Sequence, residues 1–295
     1  MEQASVTALW AALGMTAAAV LAYWAYAFGG WLSLRRLATP GQGEVTVATW
    51  ERFPEPLGRL GTWATWGALL AMVISLAARW QASGRPPWAN MWEFTAAFTG
   101  AIMLFYVMFE RWYGQRALGA VVQPLVLALL AVNVAFFPSE LRPLVPALQS
   151  KGILAAHVGV MILAYAALSL SFAAAVLYLL QGGEQRRFSR LPPPELLDEI
   201  AFRSVAIGFP LLALGIALGA YWGNIAWGRY WGWDPKETSA LVTWLIYGVY
   251  LHLRGLRGWR GNRSAVLLVA AYGAVLFTYF AVNLVVAGLH SYAGV

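Results

Sequence analysis

Residues 224–237 read N-I-A-W-G-R-Y-W-G-W-D-P-K-E. This short polar stretch separates two apolar runs, 204–222 and 238–253. Such a pattern describes two helices that cross a bilayer and are joined beyond it. The joining segment carries Trp227, Tyr230, Trp231 and Trp233, and Tyr221 and Trp222 come just before it. Loops between membrane helices are usually small and hydrophilic, so one that holds this much flat aromatic surface outside the hydrocarbon reads as a grip on something flat. The competing reading is an interfacial belt, with Trp and Tyr at headgroup depth. Belts, however, are spread over many helix ends rather than gathered in one connection.

Outward from this pair lie six more apolar segments, at about 5–28, 60–80, 94–113, 117–137, 152–180 and 265–289. Most reach the ~20 residues needed to span a bilayer; the segments at 94–113 and 238–253 are short on strict hydropathy. Hydrophobic types make up 60% of the 295 residues and charged types 11%, against about 25% charged in soluble domains. The expected fold class is all-α: a polytopic integral membrane protein of about eight transmembrane helices, forming one membrane domain over 1–295. The chain has no cysteine, which excludes disulfides, thiolate metal sites and cysteine nucleophiles. Its net charge of +7 resides in short loops beside apolar runs and does not point to nucleic acid. Residues 5–28 are too long and aromatic for a cleaved signal peptide and read as a retained helix. Pro124 should kink the fourth helix, a break tolerated where neighbouring helices re-satisfy the backbone.

Lys and Arg set the orientation. Fourteen of the 20 basic residues fall in the loops after helices 1, 3, 5 and 7, from Arg35 to Arg263. The positive-inside rule makes that side cytoplasmic. Both termini and the Trp-rich loop, 223–237, then lie outside, and the Gly-, Pro- and charge-rich segment 29–59 is a cytoplasmic loop. Pro192, Pro193 and Pro194, followed by Glu195, Asp198 and Glu199, read as a turn and a short helix start.

Only three histidines are present. With this topology His157, near the outer end of helix 5, and His290, at the outer end of helix 8, meet the face that carries the Trp-rich loop. Two imidazoles suit both axial positions of a haem iron; singly, each reads equally well as an interhelical hydrogen-bonding residue. Beside a planar aromatic loop at the same depth, ligation is the better reading. His252 lies some 20 Å inward along helix 7 at ~1.5 Å per residue. It is either a snorkelling residue beside Arg254 or one ligand of an inner haem whose second ligand must come from a partner. Asp234-Pro235-Lys236-Glu237 has the form of an N-cap, a Pro at the first helical position and a capping box. Arg229 and Lys236 are loop cations that suit either carboxylates of a ligand or solvent. A second external loop, Arg85 to Phe94, joins aromatics with Asn90 and Glu93, the latter favoured at a helix start by the dipole.

At these residues the chain resembles a known family. W-G-R-Y-W-G-W-D-P-K-E-T, followed by A-L-V-T-W-L-I-Y-G-V-Y-L-H, is similar to the tryptophan-rich "WWD" signature of haem-handling proteins, and most similar to the CcsA/ResC branch of system II cytochrome c biogenesis. Supporting segments are P-x-A-N-M-W-E-F near 87–94, L-V-P-A-L-Q-S at 144–150, A-H-V-G-V at 156–160 and V-N-L-V-V-A-G-L-H-S-Y at 282–292. The likeness covers roughly 60–295 and departs at Ser239, where a Trp is expected.

The resemblance implies a haem lyase subunit in a multi-pass plasma (inner) membrane location. His157 and His290 match the two external haem ligands and become the catalytic pair, and His252 matches the membrane-embedded ligand of a cytoplasmic-side haem site. Around haem b as ligand and substrate it gathers Trp222, Trp227, Tyr230, Trp231, Trp233 and Asp234. It implies a CcsB/ResB-type membrane partner, apocytochrome c and thiol-reducing thioredoxin-like proteins. Haem would pass to the external face, where reduced C-x-x-C-H thiols add across its vinyl groups, with the protein supplying orientation and ligation. Two rivals are a haem exporter or chaperone without catalysis and a structural membrane subunit with an aromatic belt.

Overall fold

The computed structural model describes residues 1–37, 55–141, 143, 148, 151–183, 186–188, 191–256, 259–281, 286 and 288–290. Every regular element among them is helical: α1 (Glu2–Leu37), α2 (Glu55–Ser83), α3 (Met91–Tyr113), a 3₁₀ turn (Arg116–Leu118), α4 (Gly119–Phe136), α5 (Lys151–Leu180), α6 (Pro194–Trp227), α7 (Pro235–Arg254) and α8 (Asn262–Leu276), which widens into a π turn at Phe277–Ala281. Seven of these helices are long and apolar enough to cross a membrane, which makes this an all-α polytopic membrane protein. The exception is α7, whose ends carry Lys236, Glu237 and Arg254.

Contacts across the chain show that the helices alternate in direction. At one end Glu2 accepts from Leu141 N (3.0 Å) and lies 3.6 Å from Arg79, so the start of α1 meets the end of α2 and the segment after α4. At the other end Arg116 pairs with Glu55 (3.0 Å), and Arg254 makes a bidentate bridge to Asp198 (2.7 and 2.8 Å). The Trp-rich segment therefore shares its end of the bundle with the N-terminus.

Helix α5 is the hub, packed against α3, α4, α6 and α8. Its buried face is built from Ala164, Ala166, Ala167, Ser169, Ser171, Ala173, Ala174 and Ala175. Small side chains of this kind let helix backbones approach where lipid supplies no hydrophobic drive. Pro124 lies inside the continuous helix α4 and leaves the carbonyl of Ala120 without its helical donor. The indole of Trp24 donates to that oxygen at 2.9 Å, so a neighbouring helix closes the gap.

Two boundaries differ from the sequence reading. The sixth apolar run, 204–222, is the middle of a longer helix: Pro194 begins α6 at its first turn, and α6 continues through Trp227. The short helix start after the three prolines is thus the first turn of α6. The eighth run, 265–289, does not stay helical to its end. Helix is described as far as Ala281, residues 286 and 288–290 are not helical, and Leu289 N is captured by the Asp234 carboxylate. Of the 29–59 loop, residues 29–37 continue α1 and 55–59 begin α2, while 38–54 lie outside the described residues. So do residues 291–295 and most of the 144–150 segment.

Candidate functional site

Gly228, in the left-handed conformation (φ 72°), ends α6 by donating to Asn224 O. The irregular stretch is therefore only Gly228–Asp234. Trp222 and Trp227 belong to the last turns of α6, with rings 4.7 Å apart and edge to face. Trp222 is buried, Trp227 and Trp231 are half-buried, and Tyr230 and Trp233 are exposed. Trp233 sits at φ +56°, a region that costs a bulky residue about 1–3 kcal/mol. A capping box holds the turn there: Glu237 Oε2 accepts from Gly232 N (2.8 Å) and Asp234 N (3.2 Å), while Asp234 Oδ2 accepts from Lys236 N (3.1 Å).

Asp234 also does more than cap. Its Oδ1 accepts from Leu289 N (2.5 Å) and its Oδ2 from His290 Nδ1 (2.7 Å). One carboxylate thus starts α7 and fixes the backbone and side chain of a segment 55 residues away. The approach needs Gly288, where a Cβ would lie 2.5 Å from Asp234 Oδ1. Burial works to raise the Asp234 carboxyl, but the bonds from His290, Lys236 and Leu289 hold it below its ordinary value. Burial pushes the His290 imidazole down, against the pull of Asp234, so a neutral ring faces an ionised carboxylate near pH 7.

His157, on the second turn of α5, donates from Nδ1 to Gly215 O at 2.7 Å. Its ring lies parallel to Trp222, 7° between planes and 6.2 Å between centroids. Trp222 is also 6.0 Å from His290, and Trp227 meets His290 edge-on at 5.0 Å. Gly219 leaves the room: a Cβ there would fall 2.6 Å from His157 Cε1. Gly219→Ala is expected to displace the imidazole and weaken any ligand it coordinates by roughly 10–100-fold. Thermal stability should hold within about 1.5 kcal/mol, which titration and melting of the purified protein would check.

His157, His290, Trp222 and Trp231 all line one cavity of about 160 Å³, together with Arg85 and Trp88. Because a carbonyl and a carboxylate can only accept, each histidine carries its proton on Nδ1 and the lone pair on Nε2, the tautomer in which metal-binding histidines are held by an outer partner. Asp234 is not itself a lining residue and bonds two that are, His290 and Lys236. Trp227, Tyr230 and Trp233 are not among its lining residues, and Lys236 is. Arg229 is exposed.

Glu93 stands behind the lining residues Arg85, Ala89 and Asn90. Glu93 is fully buried and accepts from Arg79 Nε (3.0 Å), Arg85 Nη1 and Nη2 (2.7 and 3.2 Å) and Ala89 N (2.9 Å). Asn90 caps α3 through Glu93 N (2.8 Å). A dipole argument alone accounts for little of this network.

His252 stands apart. It is exposed in the last turn of α7, about 27 Å from Asp234 along the axis at ~1.5 Å per residue. It does not line the cavity.

The geometry agrees with the sequence relationships. Residues 88–290 match the family described as Cytochrome C assembly protein. Curated relatives named Cytochrome c biogenesis protein CcsA are 35% identical in Synechococcus elongatus, covering 80% of this chain and 88% of that one. One in Pyropia yezoensis is 32% identical over 90% of this chain and 95% of the relative. The chain belongs to the cytochrome c assembly family. Within it the chain is of the CcsA type, and the matched region runs between two residues that line the cavity, Trp88 and His290. The fold is also that of Cytochrome c Heme Lyase CcmF, with a TM-score of 0.62 at 21% identity over 95% of this chain. The chain spans about half of the CcmF chain, 48%.

Proposed function

We propose that this CcsA-type protein is the membrane subunit of a cytochrome c synthase, holding haem b at its outer face for thioether attachment to apocytochrome c. One observation carries the reading. His157 and His290, 133 residues apart in sequence, line the same cavity with their rings 6.2 and 6.0 Å from that of Trp222, each with Nδ1 tied to an acceptor. That arrangement presents two Nε2 lone pairs, the pair an iron with two open axial positions takes.

The lining suits the rest of the molecule. Tyr165 and Trp222 line the cavity, and their Oη and Nε1 are buried donors with no hydrogen-bond partner among the described residues. A planar apolar ligand that carries carboxylates meets that demand and complements the positive charge of Lys236 in the lining.

In this reading the chain orients and excludes. Trp222 and Trp231 flank the macrocycle, and His157 and His290 fix its iron. The two cysteine thiols of a reduced C-x-x-C-H segment each add across one vinyl group, sulfur to one carbon and hydrogen to the other, with no net oxidation. Thioredoxin-like proteins keep those thiols reduced. The exposed His252 supplies one ligand to an inner haem, and a CcsB/ResB-type partner in the plasma membrane supplies the other.

The test is to express the chain with and without a CcsB-type partner in a host lacking its own system and supply an apocytochrome. Covalent haem on the cytochrome only in the complex supports a synthase. Haem bound without attachment would reduce the chain to a carrier, and no haem at all would leave a structural subunit. His252→Ala in the complex is expected to remove the inner haem and lower haem supply to the outer site, with partial rescue by imidazole. Unchanged haem content would contradict that role.

A further inference from the structure

We infer that the two external histidines are unequal ligands: His290 keeps the iron, and His157 is the one exchanged when the histidine of the C-x-x-C-H segment arrives. This rests on the haem reading above. The inequality lies in what stands behind each ring. His290 Nδ1 donates to an ionised carboxylate, Asp234 Oδ2 at 2.7 Å, whereas His157 Nδ1 donates at the same distance to a neutral backbone carbonyl, Gly215 O. A hydrogen bond to an anionic acceptor is roughly twice as strong as one to a neutral acceptor and leaves more electron density on the far nitrogen. Nε2 of His290 is therefore the stronger donor to a metal.

Mobility does not reverse the order. His290 follows an irregular segment, yet Asp234 pins it twice, through its ring and through Leu289 N. Asp234 is itself buried and held by Lys236 N. Each histidine stays where its acceptor holds it, so the electronics of the metal bond decide which ligand leaves.

The exchange balances. Porphyrin fills four of the six positions on iron, so an incoming imidazole needs one of the two axial sites. The Fe–Nε2 bond of His157 breaks and a bond to the incoming neutral imidazole forms. One neutral ligand replaces another, and no electron or proton is left over. Displaced His157 keeps its bond to Gly215 and remains beside the cavity, ready for the next haem.

The experiment uses the full-length chain in lipid nanodiscs, loaded with ferric haem b, and measures transfer of haem to excess apomyoglobin. His157→Ala, which retains the His290–Asp234 ligand, is expected to lose haem about 10–100-fold more slowly than His290→Ala. Asp234→Asn should abolish most of that difference. In the otherwise unaltered chain it should shift the low-spin ferric electron paramagnetic resonance signal, while α7 keeps its start because Asn is as good an N-cap. Equal loss rates from the two single-histidine variants, or slower loss from His290→Ala, overturn the assignment. Where the single variants hold no haem, the unaltered chain and Asp234→Asn decide: unchanged transfer rate and signal overturn it, and faster transfer with a shifted signal support it. An unaltered chain with no bis-imidazole signal overturns the haem site itself, and the inference with it.

Discussion

His157→Ala and His290→Ala are each expected to lower cytochrome c maturation at least about 100-fold and to remove the external bis-imidazole haem spectrum. The magnitude follows from the outer partners: loss of a group behind a metal ligand already costs about 10–100-fold, and here the ligand itself goes. Neither change should unfold the protein, because His157 makes one side-chain hydrogen bond in a helix that packs by its small residues, and His290 lies beyond the regular part of α8. Imidazole in the medium should restore part of the activity in both, since the cavity left behind accepts the missing ring. Maturation at the normal level in either variant, without imidazole, contradicts the role.

Glu93→Ala should be the most damaging change to stability. Arg79 is fully buried, with its guanidinium 4.8 Å over the Trp92 ring, and Glu93 is the carboxylate that accepts from its Nε. Without Glu93, the carboxylate nearest the buried Arg79 charge among the described residues is the half-exposed Glu2, at a longer 3.6 Å. Breaking a buried pair from one side costs about 3–5 kcal/mol. Glu93 also holds Arg85, Ala89 N and the start of α3, so the part of the cavity lined by Arg85 and Ala89 should loosen along with it. Glu93→Gln keeps an acceptor and should fall between Ala and the parent. Thermal unfolding in detergent reads the series, and a melting temperature for Glu93→Ala equal to the parent would contradict the account. A conservative Glu93→Asp change should not rescue, because the shorter side chain cannot span Arg79, Arg85 and Ala89 at once.

Much of this was legible in the sequence because membrane crossing imposes few choices. Eight apolar runs with short loops force alternation, and alternation alone brings His157 and His290 to one end of the bundle. The apparent end of helix 6 at residue 222 reflected hydropathy, which falls over Gly223 and Asn224 while the backbone goes on to Trp227. That the short helix start after the three prolines runs on into the sixth apolar run was hidden for the same reason: Asp198, Glu199 and Arg203 look like loop residues, but Asp198 is neutralised by Arg254 of α7.

Asp234 shows where local reasoning stops. D-P-K-E is so complete an explanation as a cap that the second use of the carboxylate stayed hidden. The available signal was stoichiometric: an ionised carboxylate accepts about four hydrogen bonds, and a cap takes one. Gly219 had a signal as well, since G-I-A-L-G at 215–219 is a small-xxx-small motif that marks close helix approach. What sequence alone does not give is which side chain from the facing helix fills the space, here His157. The link from Asp234 to residues 289 and 290 is of the same kind, a contact between segments with no pattern in common.

The central claim is that these two histidines ligate one iron in one cavity. It is tested most directly by loading the full-length chain, with all its histidines labelled with nitrogen-15, with ferric haem b and recording pulsed electron paramagnetic resonance. The account predicts a low-spin iron coupled to two labelled protein nitrogens, reduced to one in both His157→Ala and His290→Ala and still two in His252→Ala. Coupling to a single labelled nitrogen in the unaltered chain, or loss of coupling in His252→Ala, would contradict it.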